Sequence, residues 1–276
     1  GVRAYRIAGL AGTSNVLAGE DFGLPVRGTM AHSFVQACSD EMEAFKTYAR
    51  LYPGTTLLVD TYDTREAVHQ IADWLTQEPE TQIGAIRLDS GDLLEESRYC
   101  REVLDQAGLE RVRILASGGL DEYRIHKLLD QGAPIDGFGV GTALGTGGKA
   151  PNLDLAYKLT QYQGQPSMKR SPGKASYPGP KQVYRTTNAE DRYAGDQITH
   201  QDEKAPGEPL LRITMSEGQP IPEAMASLEE TVERTREALE RLPEELQGLA
   251  PNPEAYPVTL SERLHQLRAE CIDRLT

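Results

Sequence analysis

The sequence has few basic residues, and this deficit limits the partners that its charge can attract. Its 276 residues include 42 aspartates and glutamates against 29 lysines and arginines, which gives a formal net charge of −13. Proteins that hold nucleic acid or an anionic membrane through charge carry the opposite sign. We therefore expect neither nucleic acid nor a membrane as a partner. Small phosphorylated molecules remain compatible with the sequence, because a few local arginines and helix N-termini can bind them.

Cysteines and long hydrophobic runs are also scarce. The three cysteines, Cys38, Cys100 and Cys271, are widely separated and lack the spacing of a metal site, which favours free thiols in a reducing compartment. No apolar run approaches the roughly 20 residues of a membrane-spanning helix, and no signal-peptide pattern is visible. The sequence therefore predicts a soluble cytoplasmic protein, and no metal ligand is assigned within it.

Short apolar runs alternate with amphipathic stretches between about residues 23 and 150. We predict strands at 25–28, 55–59, 83–88, 112–116 and 135–140, and helices at 41–52, 65–75, 93–107 and 121–131. Successive strands separated by about 25–30 residues are typical of βαβ units and of a parallel sheet. The strands are continuously apolar, as expected for a sheet covered on both faces.

The fold class predicted from this pattern is α/β, with an irregular TIM-like α/β barrel. Polar clusters follow the predicted strands, and no Gly-x-Gly-x-x-Gly turn follows the first one, which favours a barrel over a doubly wound sheet. Only five or six strands are visible where eight complete a barrel, so we expect the barrel to be incomplete here. Residues 2–10 resemble the end of a helix entering a strand, so we expect an upstream part to be missing.

We divide the chain into two regions, because its character changes after residue 151. Residues 1–160 form the predicted catalytic barrel, and residues 161–276 a smaller α+β region packing on it. After residue 151 the sequence predicts helices at 153–160, 224–244 and 261–275, short strands within 168–185 and 209–215, and a loop or hairpin tip at 186–208.

A histidine and several carboxylates follow the predicted strands. His32 ends the run Gly-Thr-Met-Ala-His and is either packed in a loop or acts as an acid, a base or a nucleophile toward a phosphoryl group. Asp60 and Asp89 lie nearest the strand ends, where carboxylates serve as acid–base pairs, as in glycosidases, or bind Mg²⁺ and ribose. Asp63 and Asp92 directly precede predicted helices and are candidates for N-caps.

Arg87 is the one charged residue within the apolar strand at 83–88. A buried charge needs a partner, so Arg87 either pairs with a neighbouring aspartate or binds a carboxylate through two parallel hydrogen bonds.

Glycine-rich loops follow the last two predicted strands. Ser117-Gly118-Gly119 and the turn that contains Gly141 and Thr142 let backbone N–H groups approach a phosphate, as loops after the last strands of such barrels commonly do. The segment 145–149 lacks the spacing of a Walker A loop.

Five ordered motifs together resemble the nicotinate phosphoribosyltransferase family. They are residues 11–19 (AGTSNVLAG), 28–34 (GTMAHSF), 58–63 (LVDTYD), 87–92 (RLDSGD) and 138–142 (FGVGT), and the resemblance extends to the end of the chain. It implies an irregular barrel of the type II phosphoribosyltransferases joined to a smaller domain, assembled as a homodimer. The implied reaction joins nicotinate to phosphoribosyl pyrophosphate, giving nicotinate mononucleotide and pyrophosphate in NAD salvage, with coupled hydrolysis of ATP.

The resemblance also assigns roles to individual residues. His32 corresponds to the phosphorylated catalytic histidine, Thr29 and Arg87 to nicotinate-binding positions, and Thr142 to the phosphoribosyl phosphate site. Asp89, as a second catalytic residue, and Asp60 would order ribose hydroxyls or Mg²⁺. The remaining substrate-binding candidates are Ser117, Gly118, Gly119 and Gly141. Mg²⁺ is the implied cofactor, with ATP and phosphoribosyl pyrophosphate as co-substrates.

Three alternatives to this function stay open. A nicotinamide phosphoribosyltransferase shares the fold, a barrel glycosidase would use Asp60 and Asp89, and an inactive truncated chain would serve as a dimerisation partner. We expect the isolated fragment to be inactive or nearly so and poorly soluble.

Overall fold

A computed structural model of the chain describes residues 1–148, 158–169, 176–249 and 256–274. The chain divides into two compact units, Gly1–Tyr5 with Ala11–Pro151 and Arg6–Leu10 with Asn152–Thr276. Among the described residues, no helix has the length and apolar character needed to cross a membrane.

The first unit is built around four strands with helices between them. Its helices, of which the first extends into the second unit, are α1 (Val2–Ile7), α2 (Val16–Phe22), α3 (His32–Ala37), α4 (Glu41–Leu51), α5 (Thr64–Gln77), α6 (Leu93–Gln106), α7 (Glu122–Asp130) and α8 (Thr142–Thr146), and its strands are β1 (Thr55–Leu58), β2 (Ile83–Leu88), β3 (Arg113–Ala116) and β4 (Gly137–Phe138). The strands predicted between residues 50 and 150 and the helices α4 to α7 are confirmed to within two residues at each end.

The four strands form one parallel sheet in the order β1-β2-β3-β4, which confirms the predicted α/β class. Its core includes Leu57, Ile86 and Ile114 from the strands, with Phe45 from α4 and Leu104 from α6, all fully buried or nearly so. In α4 to α7 the apolar side chains recur with helical period on one face, and each of these helices buries residues on that face. The carboxyl ends of the strands therefore remain available for polar residues.

Two predictions at the N-terminal end need correction. Residues 25–28 do not form a strand of the sheet; Val26 makes only an isolated parallel bridge with Thr13. The segment is too short and too exposed for a ladder, since Val26 itself is 49% exposed. The helix within residues 2–10 is α1, but no strand follows it.

The helix caps predicted at Asp63 and Asp92 are confirmed. The carboxylate of Asp63 accepts hydrogen bonds from the backbone N–H groups of Arg65 and Glu66, and Asp92 does the same for Leu94 and Glu95. These aspartates therefore satisfy backbone donors that the helix cannot bond internally, and they do not belong to the site.

The second unit contains an antiparallel pair at its centre. Its strands are β5 (Gln161–Tyr162), β6 (Gln165–Pro166), β7 (Lys181–Thr187), β8 (Tyr193–His200), β9 (Glu208–Pro209), β10 (Met215–Ser216), β11 (Gln219–Pro220) and β12 (Val258–Leu260), and its helices are α9 (Leu228–Glu240), α10 (Glu244–Gln247) and α11 (Glu262–Arg274). The larger sheet has the order β12-β8-β7-β9.

The prediction of a loop or hairpin tip at 186–208 is right for the turn at 188–192 between β7 and β8 and wrong for the residues that follow, because β8 lies within the segment. The strand is polar in sequence, yet its polar groups are paired: Asp196 of β8 binds Arg185 of β7 through two hydrogen bonds of 2.8 Å. The helix predicted at 261–275 is confirmed as α11, whereas that at 224–244 is shorter and is capped by Ser227 and Glu230. Several parts of the predictions lie outside the described residues. They include residues 153–157 of a further predicted helix, residues 170–175 of the predicted strand segment, and Lys149.

Candidate functional site

The polar side chains predicted as site residues meet at the carboxyl edge of the parallel sheet. Asp60 follows β1, Arg87 and Asp89 stand at the end of β2, and Ser117 follows β3. Because neighbouring parallel strands end at the same edge, residues separated by almost 30 positions become adjacent. The backbone ladder fixes this arrangement, since the Ser117 N–H donates to the carbonyl of Leu88 at 2.8 Å.

Arg87 is held by three different partners. Its Nε donates to Ser117 Oγ at 2.7 Å, Nη1 to Thr29 Oγ1 at 2.7 Å, and Nη2 to Asp89 Oδ1 at 2.5 Å. A guanidinium group has five N–H donors, one on Nε and two on each terminal nitrogen. Each terminal nitrogen therefore keeps one N–H with no partner among the described residues.

Asp89 is the counter-charge of Arg87. Its Oδ1 accepts hydrogen bonds from Arg87 and Ser117, whereas Oδ2 lies 4.0 Å from His32 Nε2. Burial acts to raise the pKa of Asp89, but the hydrogen bonds from Ser117 and Arg87, with the nearby positive charge, outweigh it and place the pKa below its ordinary value of 3.8. The carboxyl is therefore an ionised acceptor at neutral pH.

His32 stands at the start of α3 with its side chain 41% exposed. Its Nδ1 lies 3.1 Å from Thr61 Oγ1, and its Nε2 lies 4.0 Å from Asp60 Oδ1 and from Asp89 Oδ2. One ring nitrogen thus faces a hydroxyl and the other faces two carboxylates. The exposed ring remains accessible to a substrate.

Asp60 supports this arrangement from below the surface. Its side chain is only 3% exposed, and Oδ2 accepts from the Asp89 N–H at 3.0 Å and from Ser90 Oγ at 2.5 Å. Its Oδ1 is buried and has no hydrogen-bond partner in the described part of the chain. A buried acceptor without a donor is costly, and the nearby ring nitrogen of His32 is the donor that this oxygen faces.

Gly118 is required by a close approach of two backbones. It has φ +85°, and a Cβ at this position would lie 1.9 Å from the carbonyl oxygen of Asp89. Gly119 also has a positive φ, +60°. Glycine therefore lets the loop after β3 pass directly over the residue that holds Arg87.

The structure brings six of the predicted site residues into one set of contacts, and the other four lie in the neighbouring loops. The six are Thr29, His32, Asp60, Arg87, Asp89 and Ser117. Gly118 and Gly119 lie in the loop after β3, and Gly141 and Thr142 lie at the start of α8, after β4.

Three residues next to this set were not predicted from the sequence as site residues. Thr61 contacts His32, Ser90 binds Asp60, and Glu41 at the start of α4 has a buried Oε1 without a hydrogen-bond partner among the described residues. Burial, with the nearby charges of Glu66, Asp60 and Asp63, raises the pKa of Glu41 to about 7. Thr61 and Ser90 adjoin the predicted aspartates, which was a usable signal; nothing in the sequence singles out Glu41.

No group of three or more histidine, cysteine, aspartate or glutamate side chains is arranged to hold a metal ion in the parts of the chain that the structure describes. The site offers two converging carboxylates instead, Asp60 and Asp89.

Known proteins resemble the chain over nearly its whole length. The model of the nicotinate phosphoribosyltransferase (NAPRTase) family matches residues 5–193, and that of the nicotinate phosphoribosyltransferase C-terminal domain matches residues 204–268. Nicotinate phosphoribosyltransferase pncB2 of Mycobacterium tuberculosis is 47% identical over 263 residues, covering 95% of this chain and 57% of that protein. The Bacillus subtilis nicotinate phosphoribosyltransferase is 41% identical over 77% of this chain and 45% of its own length.

The fold comparison agrees. A crystal structure of human nicotinic acid phosphoribosyltransferase superimposes with a TM-score of 0.81 at 27% identity, covering 98% of this chain and 66% of the human one. The chain spans about half the length of the curated relatives it matches. With a family model matched over more than half of its residues, the chain belongs to the nicotinate phosphoribosyltransferase family.

Proposed function

We propose that the protein joins nicotinate to phosphoribosyl pyrophosphate, forming nicotinate mononucleotide and pyrophosphate with coupled hydrolysis of ATP, in NAD salvage. The observation that carries the proposal is the donor pattern of Arg87. Three of its N–H groups are bound by Ser117, Thr29 and Asp89, and one remains on each terminal nitrogen. One N–H on each terminal nitrogen can serve the two oxygens of a carboxylate, which is the group that distinguishes nicotinate.

The same donor pattern disfavours the alternative substrate, nicotinamide. A neutral carboxamide offers one acceptor oxygen and brings an NH₂ donor against the second N–H of Arg87. A hydrogen bond to a charged group is worth about 1.5–3 kcal/mol, so the loss of one such bond separates the two ligands by at least tenfold. The glycosidase hypothesis for Asp60 and Asp89 is also disfavoured. The side chain of Asp60 is only 3% exposed and cannot contact a sugar directly.

His32 is the proposed acceptor of a phosphoryl group from ATP. Carboxylates only accept hydrogen bonds, so Nε2, which faces Asp60 and Asp89, carries the ring proton. Nδ1 then holds the lone pair, and the Thr61 hydroxyl donates to it at rest. The Nδ1 lone pair attacks the γ-phosphorus, the bond from phosphorus to the bridging oxygen breaks, and ADP leaves. Asp60 and Asp89 stabilise the resulting positively charged ring.

Mg²⁺ is proposed as the metal that accompanies the phosphorylated substrates. Magnesium usually keeps several waters and binds one or two carboxylates together with substrate phosphates. Asp89 Oδ2 fits this role, because Arg87 and Ser117 both bind the other oxygen. The ion would neutralise charge on the pyrophosphate leaving group. Asp60 is too deeply buried for a ribose contact and instead positions His32.

The loops after β3 and β4 are the proposed site for the phosphoribosyl phosphate. Gly118 and Gly119 leave backbone N–H groups unobstructed by side chains, and Gly141 and Thr142 begin α8 at the next strand end. Loops in this position commonly bind phosphate in α/β barrels.

We infer that the four-stranded sheet is one arc of an irregular barrel joined to a smaller α+β domain. The support is the strand order, which runs β1-β2-β3-β4 with no reversal, whereas a doubly wound sheet reverses at a switch point. We also propose that the full-length protein is a cytoplasmic homodimer, as the family resemblance implies.

The function is tested by assaying the full-length protein that carries this sequence. Nicotinate mononucleotide is measured from nicotinate and phosphoribosyl pyrophosphate, with and without ATP. We expect product that rises with ATP, and loss of this ATP stimulation in His32→Asn. Equal turnover of nicotinamide would favour the nicotinamide alternative. Binding of nicotinate without any product would favour the inactive partner.

A further inference from the structure

Ser117 has a hydroxyl whose two shortest hydrogen bonds join the two charged residues of the site. It is 8% exposed and follows β3. Its Oγ accepts from Arg87 Nε at 2.7 Å, bonds Asp89 Oδ1 and lies 3.4 Å from the Leu88 carbonyl oxygen. The ionised carboxylate cannot donate and is nearer than the carbonyl, so the hydroxyl donates to Asp89 and its oxygen accepts from Arg87.

Ser117 Oγ and Asp89 Oδ1 together set the orientation of the Arg87 guanidinium group. The two oxygens accept hydrogen bonds from Nε and Nη2, while Thr29 accepts from Nη1. With Ser117 in place, only Oδ1 of Asp89 binds the arginine. Without Ser117, Nε would turn to the carboxylate and Arg87 would bind Asp89 with two parallel bonds, the geometry that arginine and carboxylate prefer.

We propose that Ser117 is a positioning residue that sets the preference of the site for a carboxylate ligand, by holding Nε of Arg87 and with it the orientation in which the remaining N–H groups of Nη1 and Nη2 meet the ligand. The proposal rests on the proposed function and refines the prediction that Ser117 binds substrate directly. Its hydroxyl is committed to Arg87 and Asp89, so it acts on nicotinate through them.

The backbone around Ser117 is held independently of its hydroxyl. Its N–H donates to the Leu88 carbonyl at 2.8 Å, and Gly139 N donates to the carbonyl of Ala116 at 2.8 Å. Ser117→Ala is therefore expected to fold with the loop in place. Ser117→Thr keeps the hydroxyl, and Gly139, which has no side chain beside Ser117 Cβ, leaves room for the added methyl group.

The first experiment measures the binding of nicotinate and nicotinamide to the full-length protein by titration calorimetry. We expect Ser117→Ala to weaken nicotinate about tenfold, the scale of one hydrogen bond to a charged group, and nicotinamide less than twofold. Ser117→Thr should restore most of the nicotinate affinity. The matched control is Ser97→Ala, which removes a buried hydroxyl that donates to the Leu94 carbonyl in α6. Unchanged or equally weakened binding of both ligands in Ser117→Ala overturns the proposal.

The second measurement separates this proposal from the proposed function. A crystal structure of the Ser117→Ala variant of the full-length protein is determined without ligand. Arg87 Nε, which Ser117 Oγ now holds, should turn to Asp89, and in Ser117→Thr the guanidinium should keep its wild-type position. An Arg87 that does not move in Ser117→Ala overturns the positioning role. If the wild type binds no nicotinate, the proposed function fails, whatever the orientation of Arg87.

Discussion

Each of the two units contains an arginine bound to an aspartate, and the two pairs differ in what they leave unbound. Arg87 and Arg185 have almost the same side-chain exposure, 27% and 28%, so burial does not distinguish them. Asp196 binds Arg185 through both oxygens at 2.8 Å, and the rings of Tyr193 and Tyr256 lie 4.7 and 5.9 Å from the guanidinium carbon.

Arg87 instead has three separate partners, each contributing one atom. Arg185 has its Nε and Nη2 donors bound within its own sheet and acts as a structural link, and the hydrogen bonds that it donates to Asp196 raise its pKa further. Asp89 uses only one oxygen on Arg87, and its other oxygen faces His32 at 4.0 Å. The way the carboxylate is used, through both oxygens at Arg185 and through one at Arg87, therefore distinguishes the two pairs where side-chain exposure does not.

The largest expected effect comes from replacing each arginine by lysine, which keeps the charge but removes the planar set of donors. Arg87→Lys should lower kcat/KM for nicotinate by about a hundredfold or more, in the range for disrupting a buried charged pair. Arg185→Lys should leave kcat/KM within about twofold and reduce stability instead. Both are measured by initial rates and urea unfolding of the full-length protein. Equal losses of activity in the two variants would contradict the distinction.

Gly118→Ala is expected to affect the site edge nearly as strongly. The added Cβ would lie 1.9 Å from the Asp89 carbonyl oxygen, and the φ of +85° is itself unfavourable for alanine. We expect a loss of about 2–4 kcal/mol in the free energy of unfolding, with activity lost because Asp89 is displaced. Gly108→Ala is the control, since its φ is +71° and no atom lies within 4 Å; it should cost about 1 kcal/mol and leave activity intact.

Asp196→Asn tests the structural pair of the second unit. The change leaves Arg185 with a neutral partner and should lower the free energy of unfolding by about 1–3 kcal/mol, measured by urea unfolding at pH 7. The hydrogen bond from Arg185 lowers the pKa of Asp196 below 3.8 in the folded chain. The stabilisation is thus complete above the unfolded pKa and is lost as pH falls through the folded pKa. The difference between wild type and variant should therefore shrink as pH falls below 3.8 and vanish once the folded carboxyl is protonated. A difference that persists there would contradict this.

The smallest effect concerns Glu41. Burial raises the pKa of its carboxyl from 4.5 to about 7. Between these two pH values the carboxyl is protonated in the folded chain and ionised in the unfolded chain. Stability should therefore fall as pH rises from 5 to 8, and Glu41→Gln should be more stable than wild type at pH 8 by about 1 kcal/mol, allowing for solvent screening. The variants should be nearly equal at pH 5. Glu122→Gln, at the exposed start of α7, is the control and should show no such difference.

Much of the first unit follows from the hydrophobic pattern. The strands β1 to β4 are apolar and the helices between them are amphipathic, so their period alone identifies them. Residues 25–28 have the composition of a strand but no strand beside them to pair with. Whether a partner strand is present depends on the tertiary structure, which the local sequence does not show. β8 was missed for the opposite reason, since its polar residue Asp196 is paired across the sheet and a sequence does not display that pairing.

The candidate site was predictable where a residue type conflicts with its surroundings. Arg87 within an apolar strand and Asp60 and Asp89 after strand ends are such conflicts. Thr61, Ser90 and the role of Ser117 depend on distances between loops from different parts of the chain. A serine or threonine occurs in too many loops for its presence to indicate such a contact.

A crystal structure of the full-length protein with nicotinate shows directly whether Arg87 binds the ligand. We expect one carboxylate oxygen within hydrogen-bond distance of Arg87 Nη1 and the other near Nη2, while Ser117 and Asp89 keep their present contacts with the guanidinium. A nicotinate carboxylate bound away from Arg87, or an Arg87 that releases Asp89 to receive it, would show that Arg87 does not act as proposed.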